Sequence, residues 1–219
     1  MRRLLVLLSA AAMFAGAQSV MAGAGGALKM VDIDNSEQAR QRGAEIVVST
    51  CMMCHSLKYI KFSDLSQIGM TEEQIKYLLE DQDIDDRMMS LTPIEVRKES
   101  YGKVPPDLSL MAIARKKGPQ HIYTLLTDYY YKDAEQEETD NHLFPGIKMP
   151  DALAYADAES DEERAEIEAQ SRDVASFLVW AADPSAESRR TIGAYVIVYL
   201  IILTTLLYFL KRRVWGKIH

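Results

Sequence analysis

One stretch near the end of the chain limits how it can fold. Residues 191–210 form a run of 20 without a charged side chain, and a helix of that length spans about 30 Å, the thickness of a bilayer core. Arg189 and Arg190 precede the run, and Lys-Arg-Arg at 211–213 follows it. A buried core helix would not end in three cations. We predict a transmembrane anchor over residues 189–212, with a cytoplasmic tail at 213–219.

A second apolar segment opens the chain. Met1-Arg2-Arg3 precedes an apolar run to Ala17, and small residues follow to Ala24. A positive start, a short apolar stretch and small residues at the exit are typical of a bacterial secretory signal peptide. We predict a signal peptide over residues 1–24, with cleavage near 22–24. With the basic tail inside, the positive-inside rule places residues 25–188 in the periplasm, anchored to the bacterial inner membrane by one span.

The formal charge of −7 conceals a segregation of charge along the chain. All 32 acidic residues lie between Asp32 and Glu187, whereas residues 23–188 hold 17 basic residues, so this middle piece carries −15. Such a domain lacks the basic face that non-specific nucleic-acid binding requires. Acidic residues concentrate in three runs: Glu80 to Asp86, Asp133 to Asp140 and Asp157 to Glu168. These runs have two alternative interpretations. They could form a docking face for a basic partner, or they could be an ordinary solvated surface.

Helix signals dominate the middle of the chain, and no run of alternating strand residues is evident. Gly43 lies inside the first predicted helix, where it suggests a close contact with another helix. A helix is predicted from Asn35 or Ser36 to about Thr50, from Thr71 onward, over Leu108 to Ala114, over Gln120 to Tyr130, and from the capping box Ser160 to Glu163 as far as Ala182. The domain should therefore be mostly helical.

Both cysteines fall in one pentapeptide, Cys51-Met52-Met53-Cys54-His55. This spacing is the attachment signature of c-type haem: two thiols one helical turn apart bind the vinyl groups, and the adjacent His is the proximal iron ligand. A thioredoxin-like pair would need a preceding strand, and a zinc site would need two more ligands, for which His121 and His142 remain. We predict one covalently bound haem c.

The second axial ligand must come from elsewhere in the chain. Met149 stands out, because Pro145 and Pro150 stiffen its loop and would hold the thioether in place. His142, seven residues upstream, is the alternative, and bis-His ligation would lower the reduction potential. The other candidates are Met70, Met88, Met89, Met111 and His121.

With these segments assembled, the chain resembles the cytochrome c1 family, the haem-bearing subunits of the quinol–cytochrome c oxidoreductase (the cytochrome bc1 complex). The resemblance covers nearly all of the chain beyond the predicted signal peptide. The matching segments keep the family's order: Arg42-Gly43, CMMCHSLKY at 51–59, PPDLS at 105–109, Ala114-Arg115, LLTDY at 125–129, Phe144-Pro145-Gly146, Met149-Pro150, DVASFLVWAADP at 173–184 and the single C-terminal span.

The resemblance implies a mostly α class I cytochrome c domain with one C-terminal transmembrane helix. In that fold the helix before the haem crosses the last helix of the domain, and Gly43 would lie at the crossing. The family pattern makes His55 and Met149 the iron ligands and brings Arg115 near a haem propionate. One proline of the Pro-Pro pair, for which we choose Pro105, would present its carbonyl to the His55 ring.

The resemblance also implies the function. The chain would accept electrons from a Rieske iron–sulfur subunit and pass them to a basic soluble or membrane-bound c-type cytochrome, in a respiratory or photosynthetic chain. The resemblance implies contacts with cytochrome b and with membrane lipid. It also implies that the whole complex forms a dimer. The chain alone would not be an enzyme but a redox subunit of one. The alternatives are a free-standing membrane-anchored cytochrome shuttle, which leaves PPDLS unexplained, and a haem peroxidase or sensor, which needs an open iron position.

The chain departs from the family pattern in three places. The stretch between Tyr59 and Pro105 is short, as in the compact bacterial form. His121 stands where the family usually has Tyr or Trp, and it could either donate a hydrogen bond to a propionate or only fill the edge of the haem pocket. The aromatic-rich segment before the first helix is reduced to residues 25–34.

Overall fold

A computed structural model of the chain describes residues 26–79, 82–133, 135 and 137–216. The predicted signal peptide, residues 1–24, lies outside the described residues. The described residues form six α-helices, three short 3-10 turns and two small antiparallel sheets of two strands each. The prediction of a mostly helical chain is therefore confirmed, although short strands are present.

The elements follow one another in a simple order. In chain order the helices are α1 (Glu37–Ser49), α2 (Glu72–Leu78), α3 (Ile94–Tyr101), α4 (Gly118–Leu126), α5 (Asp161–Ala182) and α6 (Ala186–Trp215). The strands are β1 (Leu57–Lys61), β2 (Arg87–Met88), β3 (Tyr129–Tyr131) and β4 (Thr139–Asn141). Strand β1 pairs with β2, and β3 pairs with β4 with Tyr130 opposite Asp140.

The caps that the sequence predicted begin three of these helices. Ser36 starts α1, and its side chain accepts a hydrogen bond from the backbone N–H of Ala39 at 3.2 Å. Thr71 and Ser160 start α2 and α5 with reciprocal capping boxes. Each cap satisfies backbone donors that a helix start leaves without a partner, which is why these helices begin where they do.

Two of the predicted helices are wrong in whole or in part. Residues 108–114 hold no α-helix: 109–113 are turns, in which Met111 and Ile113 donate to carbonyls three residues back, not four as in an α-helix. The helix predicted over residues 120–130 is α4, which ends at Leu126, and the tyrosines that follow pair as β3. Aromatic residues favour a strand once a partner strand is available, and β4 supplies that partner.

The core of the domain is built on the crossing of α1 and α5, and the close contact predicted at Gly43 is present there. A Cβ on Gly43 would lie 2.0 Å from the carbonyl oxygen of Asp173 and 2.9 Å from the Cβ of Phe177, so any larger residue would collide with backbone. At the same crossing the Arg42 guanidinium forms two hydrogen bonds, of 2.6 and 2.8 Å, to the Asp173 carboxylate. The Phe177 ring packs 5.6 Å from that of Trp180, which extends the core beneath the crossing.

Helix α6 is separated from α5 by only three residues. Within the described part of the chain it is long and apolar enough to cross a membrane, with a mean hydropathy of 2.2 over 18 residues and none of that window buried. Two ion pairs hold its first turns to the domain: Arg189 with Asp183 at 2.8 Å, and Glu187 with Arg40 at 3.4 Å. Helices α5 and α6 are thus joined by a short connection with an ion pair on either side.

Candidate haem site

The pentapeptide with both cysteines forms a tight turn directly after α1. Residues Cys51–Met53 make one 3-10 turn, and the backbone N–H of His55 donates to the carbonyl of Cys51 at 2.8 Å. Both cysteines are half-buried free thiols. Burial, with a smaller effect from Cys54, raises the pKa of Cys51 to about 11, so this thiol is neutral at physiological pH. Two thiols are therefore available for thioether bonds within one turn.

The His55 ring is held in one orientation and one tautomer. The side chain is 8% exposed, and its Nδ1 donates a hydrogen bond to the carbonyl of Pro106 at 2.7 Å. A carbonyl can only accept, so Nδ1 carries the proton and Nε2 keeps its lone pair. Burial lowers the pKa of His55, which favours the neutral ring that a metal requires.

The carbonyl that orients His55 belongs to Pro106, and the choice of Pro105 was wrong. Successive carbonyls of an extended chain point to opposite sides, so only one of two adjacent prolines can face the ring. The sequence places both prolines in the right segment but does not specify which of the two carbonyls faces inward.

The PPDLS segment is fastened to the residues that follow His55. Asp107 accepts from the backbone N–H of Lys58 at 3.0 Å and of Ser109 at 3.0 Å. The Ser109 hydroxyl accepts from the backbone N–H of Tyr59 at 3.1 Å, and the backbone N–H of Leu108 donates to the carbonyl of Ser56. The polar residues of this segment thus fix the distance between the proline carbonyl and the His55 ring.

Helix α3 contributes two contacts to Cys54 that the sequence does not predict. The Arg97 guanidinium donates through Nη1 to the carbonyl of Cys54 at 2.9 Å, and the Tyr101 hydroxyl lies 3.4 Å from the Cys54 sulfur. Arg97 is the one buried residue of α3. An isolated arginine in a short polar helix is normally a surface residue, so the sequence carries no signal for this burial.

Met149 lies in a loop that is built by two polar residues just before it. The side-chain oxygen of Asn141 accepts from the backbone N–H of Leu143 at 3.0 Å, and its amide donates to the carbonyl of Leu125 at 2.9 Å. Asp140 accepts from the backbone N–H of Gly146 at 2.8 Å. Gly146 has a φ of +76°, a conformation that glycine adopts without strain. The loop therefore has a defined shape before any ligand is bound.

Met149 and its competitors lie in different surroundings. Met149 is half-buried against the edge of the core, and its carbonyl accepts from the Tyr129 hydroxyl at 3.1 Å. Met70 and Met88 are buried within the core cluster. His142 is exposed, with its ring stacked on Tyr130 at 4.0 Å and its Nδ1 hydrogen-bonded to the carbonyl of Asp128 at 3.2 Å. These contacts favour Met149 over His142 as a ligand.

Arg115 and His121 lie beside the Met149 loop. Arg115 is exposed, and its guanidinium sits 5.8 Å from the centroid of the Phe144 ring. His121 has a buried Nδ1 without a hydrogen-bond partner in the described part of the molecule. Burial lowers the pKa of His121, and the charge of Arg115 lowers it further. A cation and a buried nitrogen without a partner are suitable groups for an incoming carboxylate.

Three features of these residues fit a covalently bound haem c. They are two free thiols in one turn, a neutral imidazole with an available Nε2 lone pair, and the buried Nδ1 of His121. Across the described ranges, no group of three or more His, Cys, Asp or Glu side chains is placed to hold a metal ion. The donor set of a zinc site is therefore missing there.

Acidification is expected to loosen the Met149 loop through Asp140. The backbone N–H groups of Asn141 and Gly146 hold the pKa of Asp140 below its usual 3.8. Because the folded pKa lies below the unfolded one, the carboxylate stabilises the fold above about pH 4, and this contribution disappears as the pH falls through the lower folded value. With Met149 as the predicted iron ligand, the sulfur-to-iron absorption band of the ferric protein, followed during acid titration, would measure its release.

The Asp140→Asn variant is the control, because its amide does not ionise in this range. It should begin with a weaker band and lose a smaller part of it on acidification than the unaltered chain. Superimposable titrations of the two proteins would show that Asp140 does not hold the loop.

Comparison with known proteins identifies relatives along nearly the whole chain. A family model described as the Cytochrome C1 family matches residues 30–218. The chain is 29% identical over 226 residues to cytochrome c1 of Allochromatium vinosum, covering 90% of this chain and 92% of that protein. It is 31% identical over 229 residues to cytochrome b/c1 of Bradyrhizobium diazoefficiens, covering 83% of this chain and 33% of that protein.

A relative with a different name is the ammonia monooxygenase gamma subunit of Nitrosomonas europaea, 28% identical over 210 residues, covering 88% of this chain and 89% of that protein. The family match spans the haem motif, the PPDLS segment, the Met149 loop and helix α6. The chain belongs to the cytochrome c1 family, the haem-bearing electron-transfer subunits of the cytochrome bc1 complex.

Proposed function

We propose that the chain accepts one electron from a Rieske iron–sulfur subunit and passes it to a c-type cytochrome, within the ubiquinol–cytochrome c reductase of a respiratory or photosynthetic chain. The observation that carries this proposal is the arrangement around His55. Its neutral ring is held by a hydrogen bond to the Pro106 carbonyl and lies in the same turn as two free thiols. Haem c bound at Cys51 and Cys54 supplies a one-electron ferric–ferrous couple there. The chain makes and breaks no substrate bond, so its activity belongs to the assembled complex.

Met149 is the proposed second axial ligand. Asp140 and Asn141 fix the shape of its loop, and the Tyr129 hydroxyl holds its backbone. A thioether placed in this way loses little freedom on binding iron, and His/Met ligation gives a higher reduction potential than bis-His ligation. A high potential suits a subunit that accepts electrons late in a chain.

Arg115 and His121 are the proposed partners of a haem propionate. The Arg115 cation faces solvent and the Phe144 ring, and the His121 Nδ1 is buried without a partner. A carboxylate between them would satisfy the nitrogen and pair with the guanidinium. This arrangement would also keep the propionate edge close to the loop that carries Met149.

The proposed placement puts the haem domain, residues 25–188, in the periplasm. Residues 1–24 would be removed as a signal peptide, residues 189–212 would span the inner membrane, and residues 213–219 would remain in the cytoplasm. The exposed apolar surface of α6 and the cations at 211–213 support this orientation. The relative named cytochrome b/c1, of which this chain matches one third, supports a direct partnership with cytochrome b.

The surface near the pentapeptide suits brief contacts with redox partners. Met53 and Met89 are 48% and 44% exposed, and Ser90 joins their segments by donating to the carbonyl of Met53 at 2.9 Å. In the acidic runs, the described carboxylates are mostly exposed. A small apolar area with acidic surroundings supports docking of a basic cytochrome c whose approach is steered by charge.

Purification in mild detergent, followed by haem staining and quinol-driven reduction, tests the first half of the proposal. Cytochrome b and a Rieske protein should co-purify with the chain, and ubiquinol should reduce its haem only when the Rieske subunit is present. A chain recovered without cytochrome b would favour a free-standing shuttle. Recovery with monooxygenase subunits instead would favour the role named for the Nitrosomonas relative.

Stopped-flow reduction of a basic cytochrome c by the purified complex tests the second half. We expect the association rate to fall steeply as salt is added, because the domain between residues 23 and 188 carries −15. The same series with an acidic cytochrome c is the control, and its rate should not fall with salt. A rate that does not depend on ionic strength for the basic partner would contradict charge-steered docking.

A further inference from the structure

Arg97 is a charged side chain buried beside the haem-attachment turn. Arg97 is 8% exposed, and its Nη1 donates a hydrogen bond to the carbonyl of Cys54 at 2.9 Å. The Nε atom is buried and has no hydrogen-bond partner in the described part of the chain. The guanidinium is thus fixed by a neutral carbonyl and not by a counter-ion.

No described carboxylate compensates this charge. Among the residues that the structure describes, no Asp or Glu oxygen lies within 4.0 Å of the Arg97 nitrogens. Asp107, which acts on the same His55 ring, already accepts from two backbone N–H groups. Burying an unpaired cation costs several kcal/mol, so a neutral residue here would give a more stable apoprotein.

We propose that Arg97 raises the reduction potential of the haem through its buried positive charge. The inference rests on the proposed haem attachment at Cys51 and Cys54. Ferric haem carries one more positive charge than ferrous haem, so a cation fixed beside the Cys54 carbonyl and the adjacent His55 disfavours the ferric form and raises the potential. Burial prevents water and salt from screening this effect.

Two further contacts support a fixed charge near the iron. The Tyr101 hydroxyl, one turn along α3 from Arg97, lies 3.4 Å from the Cys54 sulfur, so the helix meets the same cysteine twice. Because Cys54 directly precedes His55, the guanidinium bound to the Cys54 carbonyl lies within electrostatic range of the ring. A unit charge about 10 Å away, at an effective dielectric constant of about 20, shifts an equilibrium on the order of tenfold.

The test is potentiometry on the intact complex with Arg97→Gln, Arg97→Lys and a matched control. Arg87→Gln is the control, because Arg87 also donates to a backbone carbonyl, that of Lys58, but from an exposed position. At a fixed ambient potential, Arg97→Gln should raise the ratio of oxidised to reduced haem by about tenfold. Arg97→Lys and Arg87→Gln should leave the ratio within about twofold of the unaltered complex.

The outcomes separate the inference from the proposed function. Covalent haem with an unchanged potential in Arg97→Gln would overturn the inference alone, whereas an unaltered chain without covalent haem would overturn the attachment and the inference together. If Arg97→Gln does not accumulate, Arg97→Lys still decides, because a lowered potential with the charge retained would show that the charge is not the cause. The shift in Arg97→Gln should also persist at high salt, and its disappearance there would overturn a buried origin.

Discussion

Replacing Met149 with leucine is expected to lower the midpoint potential by a large part of the roughly 0.8 V range that axial ligands control. Leucine fills a similar volume, so the packing of the loop against the core should change by less than about 1.5 kcal/mol, while the thioether is lost. The ferric protein should lose its sulfur-to-iron absorption band. Electron transfer from ubiquinol should fall with the potential, because the step would become unfavourable. Potentiometry and the visible spectrum of the membrane fraction measure both effects.

Met70→Leu is the matched control for this substitution. Met70 is 4% exposed and belongs to the core cluster, so the same chemical change there tests packing without touching the proposed ligand. Its spectrum and potential should match those of the unaltered chain. If Met149→Leu kept the band and the potential, another methionine would have to be the ligand. A band already missing from the unaltered chain would favour His142 or an open iron position.

Replacing Gly43 with alanine is expected to destabilise the domain by about 3 kcal/mol. The new methyl group would lie 2.0 Å from the carbonyl oxygen and 2.6 Å from the carbonyl carbon of Asp173. These atoms are backbone, so the contact can be relieved only by moving α1 away from α5. That movement would also disturb the Arg42–Asp173 pair. Denaturant unfolding of the purified complex, followed by haem absorbance, measures the loss.

Gly193→Ala is the control for the intrinsic effect of the substitution. Gly193 also lies in a helix, and nothing lies within 4 Å of the position its Cβ would take. The substitution should be neutral or should stabilise α6 slightly, since alanine is the better helix former by about 1 kcal/mol. Equal stabilities for Gly43→Ala and the unaltered complex would mean that the two helices are not in the close contact described here.

The features that the sequence predicted correctly are those that depend on neighbouring residues. Ser36, Thr71 and Ser160 cap helices because each side chain reaches a backbone donor three residues on. The cysteine pair and His55 also lie in one turn because they are neighbours in sequence, and the His55 N–H donates to the Cys51 carbonyl. Gly43 is the exception, since its role depends on a distant helix, and the expectation there came from the family resemblance as well as from the cost of glycine in a helix.

The features that the sequence did not predict depend on contacts between distant segments. Pro105 and Pro106 are chemically alike, and only the position of His55 decides which carbonyl it meets. The tyrosines of β3 suit a helix or a strand equally, and pairing with β4 decides the outcome. Arg97 is buried because α3 packs on Cys54, 43 residues away in sequence, and no local pattern reports a contact of that kind.

The three residues between α5 and α6 also limit how the redox domain can move. Pro184 stiffens the connection, and the Asp183–Arg189 and Arg40–Glu187 pairs tie the first turns of the anchor to both crossing helices of the domain. If α6 spans the membrane as proposed, a tether this short would keep the domain at one height above the bilayer, with no slack for swinging between an electron donor and an acceptor. The proposed donor and acceptor would then have to travel to the haem, and the chain would serve as a stationary relay between two mobile carriers.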